Sequence, residues 1–294
     1  MRSGMVTILG RPNVGKSSLL NALVGQKVSI VSHKPQTTRH RIQGVLHHAD
    51  GQIVFVDTPG LHRGGKKALN RAMNEAATGA VSGVDLVLFV IEAGRFTEED
   101  QAVLDQLKDE SAPVALVINK VDRVDDKEKL LPELQQRSSL REFAFVVPLS
   151  ATKKANLDAL VKEILARLPE GDPLYPEDMI AGHDMSFTVS ELVREKLTRT
   201  LHQELPYALT VQIEEYKQEG RLDRISAVIW VEREGQKKIV IGEQGAALKA
   251  VGSATRRELE RMTGRKVFLK LWCKVRENWS DDPGALKTFG IVQE

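Results

Sequence analysis

The eight residues Gly10-Arg11-Pro12-Asn13-Val14-Gly15-Lys16-Ser17 constrain this chain more than any other stretch. They fit the spacing G-x-x-x-x-G-K-[ST], and they lie between an apolar run, Met5 to Leu9, and a helix-like run, Ser17 to Leu23. Such a loop joins a buried strand to a helix. Its backbone N–H groups can ring a phosphate because glycine lets the main chain approach without a Cβ. The helix that follows aims its unpaired N–H groups and positive dipole end at the same place. Gly10 to Ser18 are therefore the candidate phosphate-binding residues, with Lys16 reaching the β- and γ-oxygens and the Ser17 hydroxyl on Mg²⁺. The competing reading is a glycine turn that matches by chance.

Beyond this loop, apolar runs alternate with amphipathic stretches. Met5–Leu9, Ile53–Val56, Leu86–Ile91, Val114–Ile118 and Phe145–Leu149 read as strands, and Leu69–Val81, Glu98–Leu107 and Leu157–Leu168 as helices. Buried runs spaced by helices make a mostly parallel, doubly wound α/β sheet, expected over residues 1–170. Ligands of such sheets bind beyond the carboxyl ends of the strands, where every further motif falls.

Asp57-Thr58-Pro59-Gly60 follows the second run. There a carboxylate can hold Mg²⁺ through water and the Gly60 N–H can donate to a γ-phosphate, although the tetrapeptide alone reads equally as a tight turn. Asn119-Lys120-Val121-Asp122 follows the fourth. Asp122 can accept from the N1–H and 2-amino groups of guanine, which adenine lacks; Asn119 would tie loops together and the Lys120 stem lie over the base. After the fifth come Ser150, Ala151 and Thr152, positioned to offer a backbone N–H to guanine O6.

Three prolines between Pro169 and Pro176 break all periodicity, so residues 171–182 are expected to be a semi-rigid linker and 183–294 a second domain. Its pattern is a helix, Ser190–Leu205, then strands Ala208–Glu215, Arg224–Glu232 and Lys238–Ile241. The loop Gly242-Glu243-Gln244-Gly245, a helix Ala246–Met262 and a strand Lys266–Val275 follow. The net charge of +2 conceals an asymmetry: Gln236 to Arg276 holds eleven Lys and Arg against three acids. That is an electrostatic footprint for a polyanion, with a solvated basic helix face as the bland alternative. No apolar run approaches the ~18 residues of a membrane span. The N-terminus shows no leader pattern, and the single Cys273 excludes an intramolecular disulfide, which together suit a cytoplasmic monomer.

The first-half motifs together resemble the translation-factor-related GTPases. Ser32-His33-Lys34-Pro35-Gln36-Thr37-Thr38-Arg39-His40-Arg41 looks like the first switch of the Era family. The resemblance implies that Thr38, or else Thr37, contacts Mg²⁺ and the γ-phosphate, which would make Ser17, Thr38 and Asp57 the metal set and Lys16, Thr38, Gly60 and Asn13 the catalytic set. Leu61 stands where many GTPases place a water-orienting glutamine, so slow hydrolysis is expected. Asn13 resembles the asparagine that coordinates potassium in related enzymes; the alternative is that it only satisfies loop backbone groups. The strand–loop–helix–strand around Gly242 and Gly245 resembles a type II KH domain, whose loop clamps about four single-stranded nucleotides. Gly242, Glu243, Gln244 and Gly245 would then meet RNA with Lys249, Arg256 and Arg257, while Glu243 departs from the family by placing an acid beside the phosphate track. Trp279-Ser280-Asp281-Asp282-Pro283 and Leu286 also look like the carboxyl end of Era proteins.

For this family the resemblance implies a GTP-gated switch that binds the 3′ end of small-subunit ribosomal RNA and acts in small-subunit assembly. Two alternatives remain: a GTPase associated with RNA modification, for which no second chemical site is visible, and a protein whose basic region meets the inner face of the membrane.

Overall fold

The computed structural model describes every residue except 33, 35, 60–66, 81–82, 125–127, 129, 202–204 and 293–294. The chain divides into two compact units. One holds Met1–Val31, Thr38–Gly65 and Met73–Gly182, the other Ser32–Thr37, Lys66–Ala72 and His183–Glu294.

The first unit is built on a six-stranded sheet in the order β2-β3-β1-β4-β5-β6. Its strands are β1 (Arg2–Leu9), β2 (Ile42–His48), β3 (Gly51–Asp57), β4 (Leu86–Glu92), β5 (Val114–Asn119) and β6 (Val146–Pro148). All pair in parallel except β2 with β3. β3 and β5 are buried at every position, as strands covered on both faces must be, and this is why they read as unbroken apolar runs. Helices α1 (Lys16–Val24), α2 (Ala68–Gly79), α3 (Glu98–Gln106), α4 (Leu130–Ser138) and α5 (Leu157–Leu165) connect them. Val103 and Leu104 of α3 and Leu134 of α4 pack on Val87, Phe89 and Ile91, while α1 meets Gly44 of β2 through Leu20 and Val24.

β2 has no counterpart among the expected strands. Its sequence IQGVLHH mixes polar residues into the run, because its outer edge is covered by chain rather than by another strand. The Val45 N–H donates to Ile180 O and the Gly182 N–H to Gln43 O. The proline-rich stretch thus runs along the sheet edge. Gln52, fully buried, fixes it by accepting from the Leu174 and Tyr175 N–H groups at 2.7 and 3.0 Å and donating to Tyr175 O at 2.7 Å.

The second unit is a three-stranded sheet, β7 (Leu209–Glu219), β8 (Leu222–Val231) and β9 (Lys266–Val275), with β7–β8 antiparallel and β8–β9 parallel. α6 (Met185–Thr200) and α8 (Ala246–Thr263) bury Val193, Leu197 and Val251 against Ala227, Ile229 and Val231. α6 begins five residues before the expected start because Asp184 caps it, accepting from the Phe187 N–H at 2.8 Å. Lys238–Ile241 corrects the expectation of a strand: it is the end of α7 (Glu234–Ile241). There Gln236 Oε1 accepts from the Glu232 and Arg233 N–H groups, starting a helix that a four-residue apolar window could not reveal. The short α9 (Pro283–Thr288) follows Trp279, which is fully buried and donates to Ala208 O at 3.2 Å.

Candidate nucleotide site and nucleic-acid groove

The loop between β1 and α1 turns through three positive-φ residues, Gly10 (φ 154), Asn13 (φ 66) and Gly15 (φ 101). At Gly15 a Cβ would stand 2.4 Å from Asn119 Nδ2, so glycine is required for close approach as well as for the dihedral. Lys16 is buried, and its Nζ donates to Gly10 O at 2.8 Å and Arg11 O at 2.9 Å. Burial pulls its ammonium down to about 8, against the opposing pull of the Asp57 carboxylate.

Asp57 ends β3 at the centre of the site. Its Oδ2 accepts from Ser17 Oγ at 2.7 Å, Ser29 Oγ at 3.0 Å and Thr38 Oγ1 at 3.5 Å, and Ser17 Oγ lies 3.0 Å from Thr38 Oγ1. Its Oδ1 is buried, with no hydrogen-bond partner among the described residues. Burial raises this carboxyl, opposed first by Lys16. Three hard oxygens beside a carboxylate atom that lacks a donor are a donor set that fits Mg²⁺. Thr38, rather than Thr37, faces this cluster, since the Thr37 hydroxyl donates to Lys34 O at 2.6 Å. Thr58 Oγ1 donates to Ile8 O, which locks the end of β3 to β1. Pro59 follows it; Gly60 and Leu61 lie outside the described residues.

At the base end, Asn119 is nearly fully buried. Its Nδ2 donates to Val14 O at 2.9 Å, and its Oδ1 accepts from the Lys120 N–H at 2.8 Å and the Ala151 N–H at 3.1 Å, so one side chain joins three loops. Asp122 Oδ1 accepts from Ser150 Oγ, which also lies 3.3 Å from Thr152 Oγ1. The Ser150 N–H donates to Ala155 O, so both the Ser150 and Ala151 donors already have acceptors. Lys120 Nζ donates to Asn13 O at 2.6 Å and meets Glu92 at 3.0 Å.

Sequence reasoning named Arg11 only as part of the phosphate loop and missed the carboxylates that hold it. Arg11 is buried with Asp100 at 2.9 Å and Glu92 at 3.1 Å, so its side chain braces the loop from behind. Asp100 completes a capping box with Thr97, a signal present in Thr97-Glu98-Glu99-Asp100, and Glu92 is a lone carboxylate at the end of an apolar run.

In the second unit, Gly242 (φ 75, ψ 176) and Gly245 (φ 81) frame Glu243 and Gln244, the latter also at positive φ, before the N-terminus of α8. Gly245, Leu248, Lys249, Gly252, Ser253 and Arg256 face Leu269 and Leu271 across a groove of about 350 Å³. Arg257 is exposed and donates to Ser253 O rather than lining this groove.

Residues 5–120 match the family model of the 50S ribosome-binding GTPases, and residues 204–280 that of the KH domain. The chain is 56% identical to GTPase Era of Stenotrophomonas maltophilia (strain K279a) over 98% of its own length and 96% of that protein. Against GTPase Era of Xanthomonas oryzae pv. oryzae (strain MAFF 311018) it is 56% identical, over 98% and 97%. Two crystal structures match over 100% of both chains at 40% identity and a TM-score of 0.95. They are Aquifex aeolicus Era bound to GDP and AlF4⁻, and Era in complex with MgGDPNP and nucleotides 1506–1542 of 16S ribosomal RNA. With relatives of this identity over nearly its whole length and both family models matched, the chain belongs to the GTPase Era family, GTP hydrolases that carry a KH domain.

Proposed function

We propose that this chain is a GTP-gated RNA switch that binds the 3′ region of small-subunit (16S) ribosomal RNA and acts in small-subunit assembly. The observation that carries the nucleotide half is the convergence of Ser17 and Thr38 on the buried Asp57 carboxylate. Ser17 and Thr38 would hold Mg²⁺ directly and Asp57 through water. The bound ion supplies charge neutralisation on the transferring phosphoryl group. Lys16 exchanges its loop carbonyls for phosphate oxygens, and Asp122 reads the N1–H and 2-amino edge of guanine. Guanine O6 shares the Ala151 N–H with Asn119 or takes its place. Asn13, whose carbonyl holds Lys120, is the candidate K⁺ contact. Equal turnover in K⁺ and Na⁺ at matched ionic strength removes that assignment.

The RNA half draws on the groove between α8 and β9 and on the 16S fragment bound by the Era structure above. Glycines at both ends of the loop let the sugar–phosphate backbone approach, Lys249 and Arg256 supply charge, and Leu248, Leu269 and Leu271 supply apolar contact to bases. Titration calorimetry tests the nucleotide half: GTP binds at least about 100-fold tighter than ATP. Equal affinities end the reading. A fluorescent RNA carrying the 3′-terminal 16S sequence tests the other half, its affinity rising with a non-hydrolysable GTP analogue. The basic surface leaves contact with anionic lipid as a second reading, and vesicle sedimentation decides whether it occurs.

A further inference from the structure

The sheet of the second unit has two unlike faces. One lies under α6 and α8. On the other, β9 presents Lys266, Phe268, Lys270, Trp272 and Lys274, every second residue of the strand, and Phe268 and Trp272 are each 47% exposed. Cations attend the rings. The Arg224 guanidinium lies 5.1 Å from the Phe268 centroid, Lys270 Nζ 4.6 Å from Trp272, and Lys274 Nζ 5.7 Å from Trp230 on β8. Lys274 and Arg224 also meet Glu214 and Glu219, but among the described residues Lys266 and Lys270 have no carboxylate within ion-pair reach. Two large aromatic side chains left half in water on an edge strand cost hydrophobic stabilisation that a packed strand would gain.

We propose that this face is a second surface for single-stranded RNA, extending the track that begins in the groove of α8 and β9. The inference rests on reading that groove as an RNA site. β9 borders both surfaces: Leu269 and Leu271 line the groove, while the residues between and beside them face the other way. Because β9 is the sheet edge, a strand leaving the groove passes directly over it. Phe268 and Trp272, four residues apart on a strand rising ~3.3 Å per residue, stand about 13 Å apart, each able to stack a base. The intervening lysines meet the phosphates. Exposed rings on an open sheet are the means by which other folds take single-stranded RNA, and stacking on them tolerates any sequence. A lipid surface is a poorer fit, because a cation at every second position interrupts any continuous apolar patch.

The test uses the full chain and two fluorescent RNAs, one of about six nucleotides that fills the groove alone and one of about fourteen that continues past it. Phe268→Leu with Trp272→Leu weakens the longer RNA about tenfold or more and leaves the shorter unchanged. Lys266→Gln with Lys270→Gln, both exposed and therefore harmless to folding, lowers the log–log salt slope of the longer RNA by about 1.4. If both pairs bind the longer RNA with wild-type affinity and slope, the proposal is overturned. Loss of binding only to phosphatidylglycerol vesicles overturns it too, in favour of a membrane. Lys249→Gln with Arg256→Gln checks the groove separately: if this pair weakens the short RNA while the face variants bind the long one as wild type, the face proposal falls and the groove reading stands, whereas a short RNA left unaffected removes the groove and the extended track together.

Discussion

Lys16 shows how one side chain ties stability to ligand binding. Its ammonium is buried on two carbonyls, and burial lowers its pKa from 10.5 to about 8. A lowered lysine stabilises the fold fully above its unfolded value and loses that contribution as pH falls through its folded one. In the protein without nucleotide, the gap in unfolding free energy between wild type and Lys16→Met should therefore move in favour of wild type from pH 8 to 10.5. The change is about 3 kcal/mol by denaturant titration, and a constant gap contradicts the burial argument. In the proposed reading, Asp122 carries base specificity instead. Asp122→Asn exchanges an acceptor pair for a group with a donor, so guanine nucleotides should weaken at least about 100-fold while xanthine nucleotides gain, read by competition against a fluorescent analogue. The positions of Asp57 and Asn119 were legible because each ends an apolar strand. Ser29, Glu92 and Asp100 were not, because their partners lie 28 to 89 residues away in sequence.

At the scale of elements, the loop between α7 and α8 depends on two glycines for different reasons. Gly242 lies at φ 75, ψ 176, a region essentially closed to other residues, and a Cβ there would come 2.6 Å from the Ala247 Cβ. Gly245 is left-handed with nothing within 4 Å. Gly242→Ala should cost about 2–3 kcal/mol of stability and Gly245→Ala about 1 kcal/mol, measured by urea unfolding. Equal costs would show that the loop adjusts freely. α7 itself escaped sequence reasoning since its last turn, Lys238–Ile241, is too short to show a period, and only the Gln236 cap makes it helical. β2 escaped because IQGVLHH mixes polar and apolar residues, and its outer edge is met by the chain at Ile180 to Gly182 rather than by another strand.

For the whole molecule, the division of the chain at Thr37 and Thr38 matters most. Thr38 faces Ser17 and Asp57 in the first unit, whereas Thr37 belongs to the second, where buried Arg194 donates to the Gln36 and Thr37 carbonyls and pairs with Glu191. Thr37 and Thr38 share one peptide bond, so Arg194 is the residue at which to test whether the proposed nucleotide switch reaches RNA binding. Coupling of binding is reciprocal, so the factor by which GTP tightens RNA must equal the factor by which RNA tightens GTP. Arg194→Met should shrink both factors together by about 5-fold or more, in paired titrations with a non-hydrolysable analogue. A variant that alters one factor alone contradicts the linkage.

The mostly parallel sheet and its glycine-rich first loop were readable from the residues alone, because strands buried on both faces must be apolar and a close-approach turn needs glycine. The sequence also placed the glycine-framed loop ahead of α8, where a groove opens against β9. Only the tertiary structure decided which threonine meets Asp57, which carboxylates brace Arg11, and that β9 has two unlike faces. Those facts depend on which chain segments become neighbours, and no local pattern of residues encodes contacts made across 19 to 89 positions.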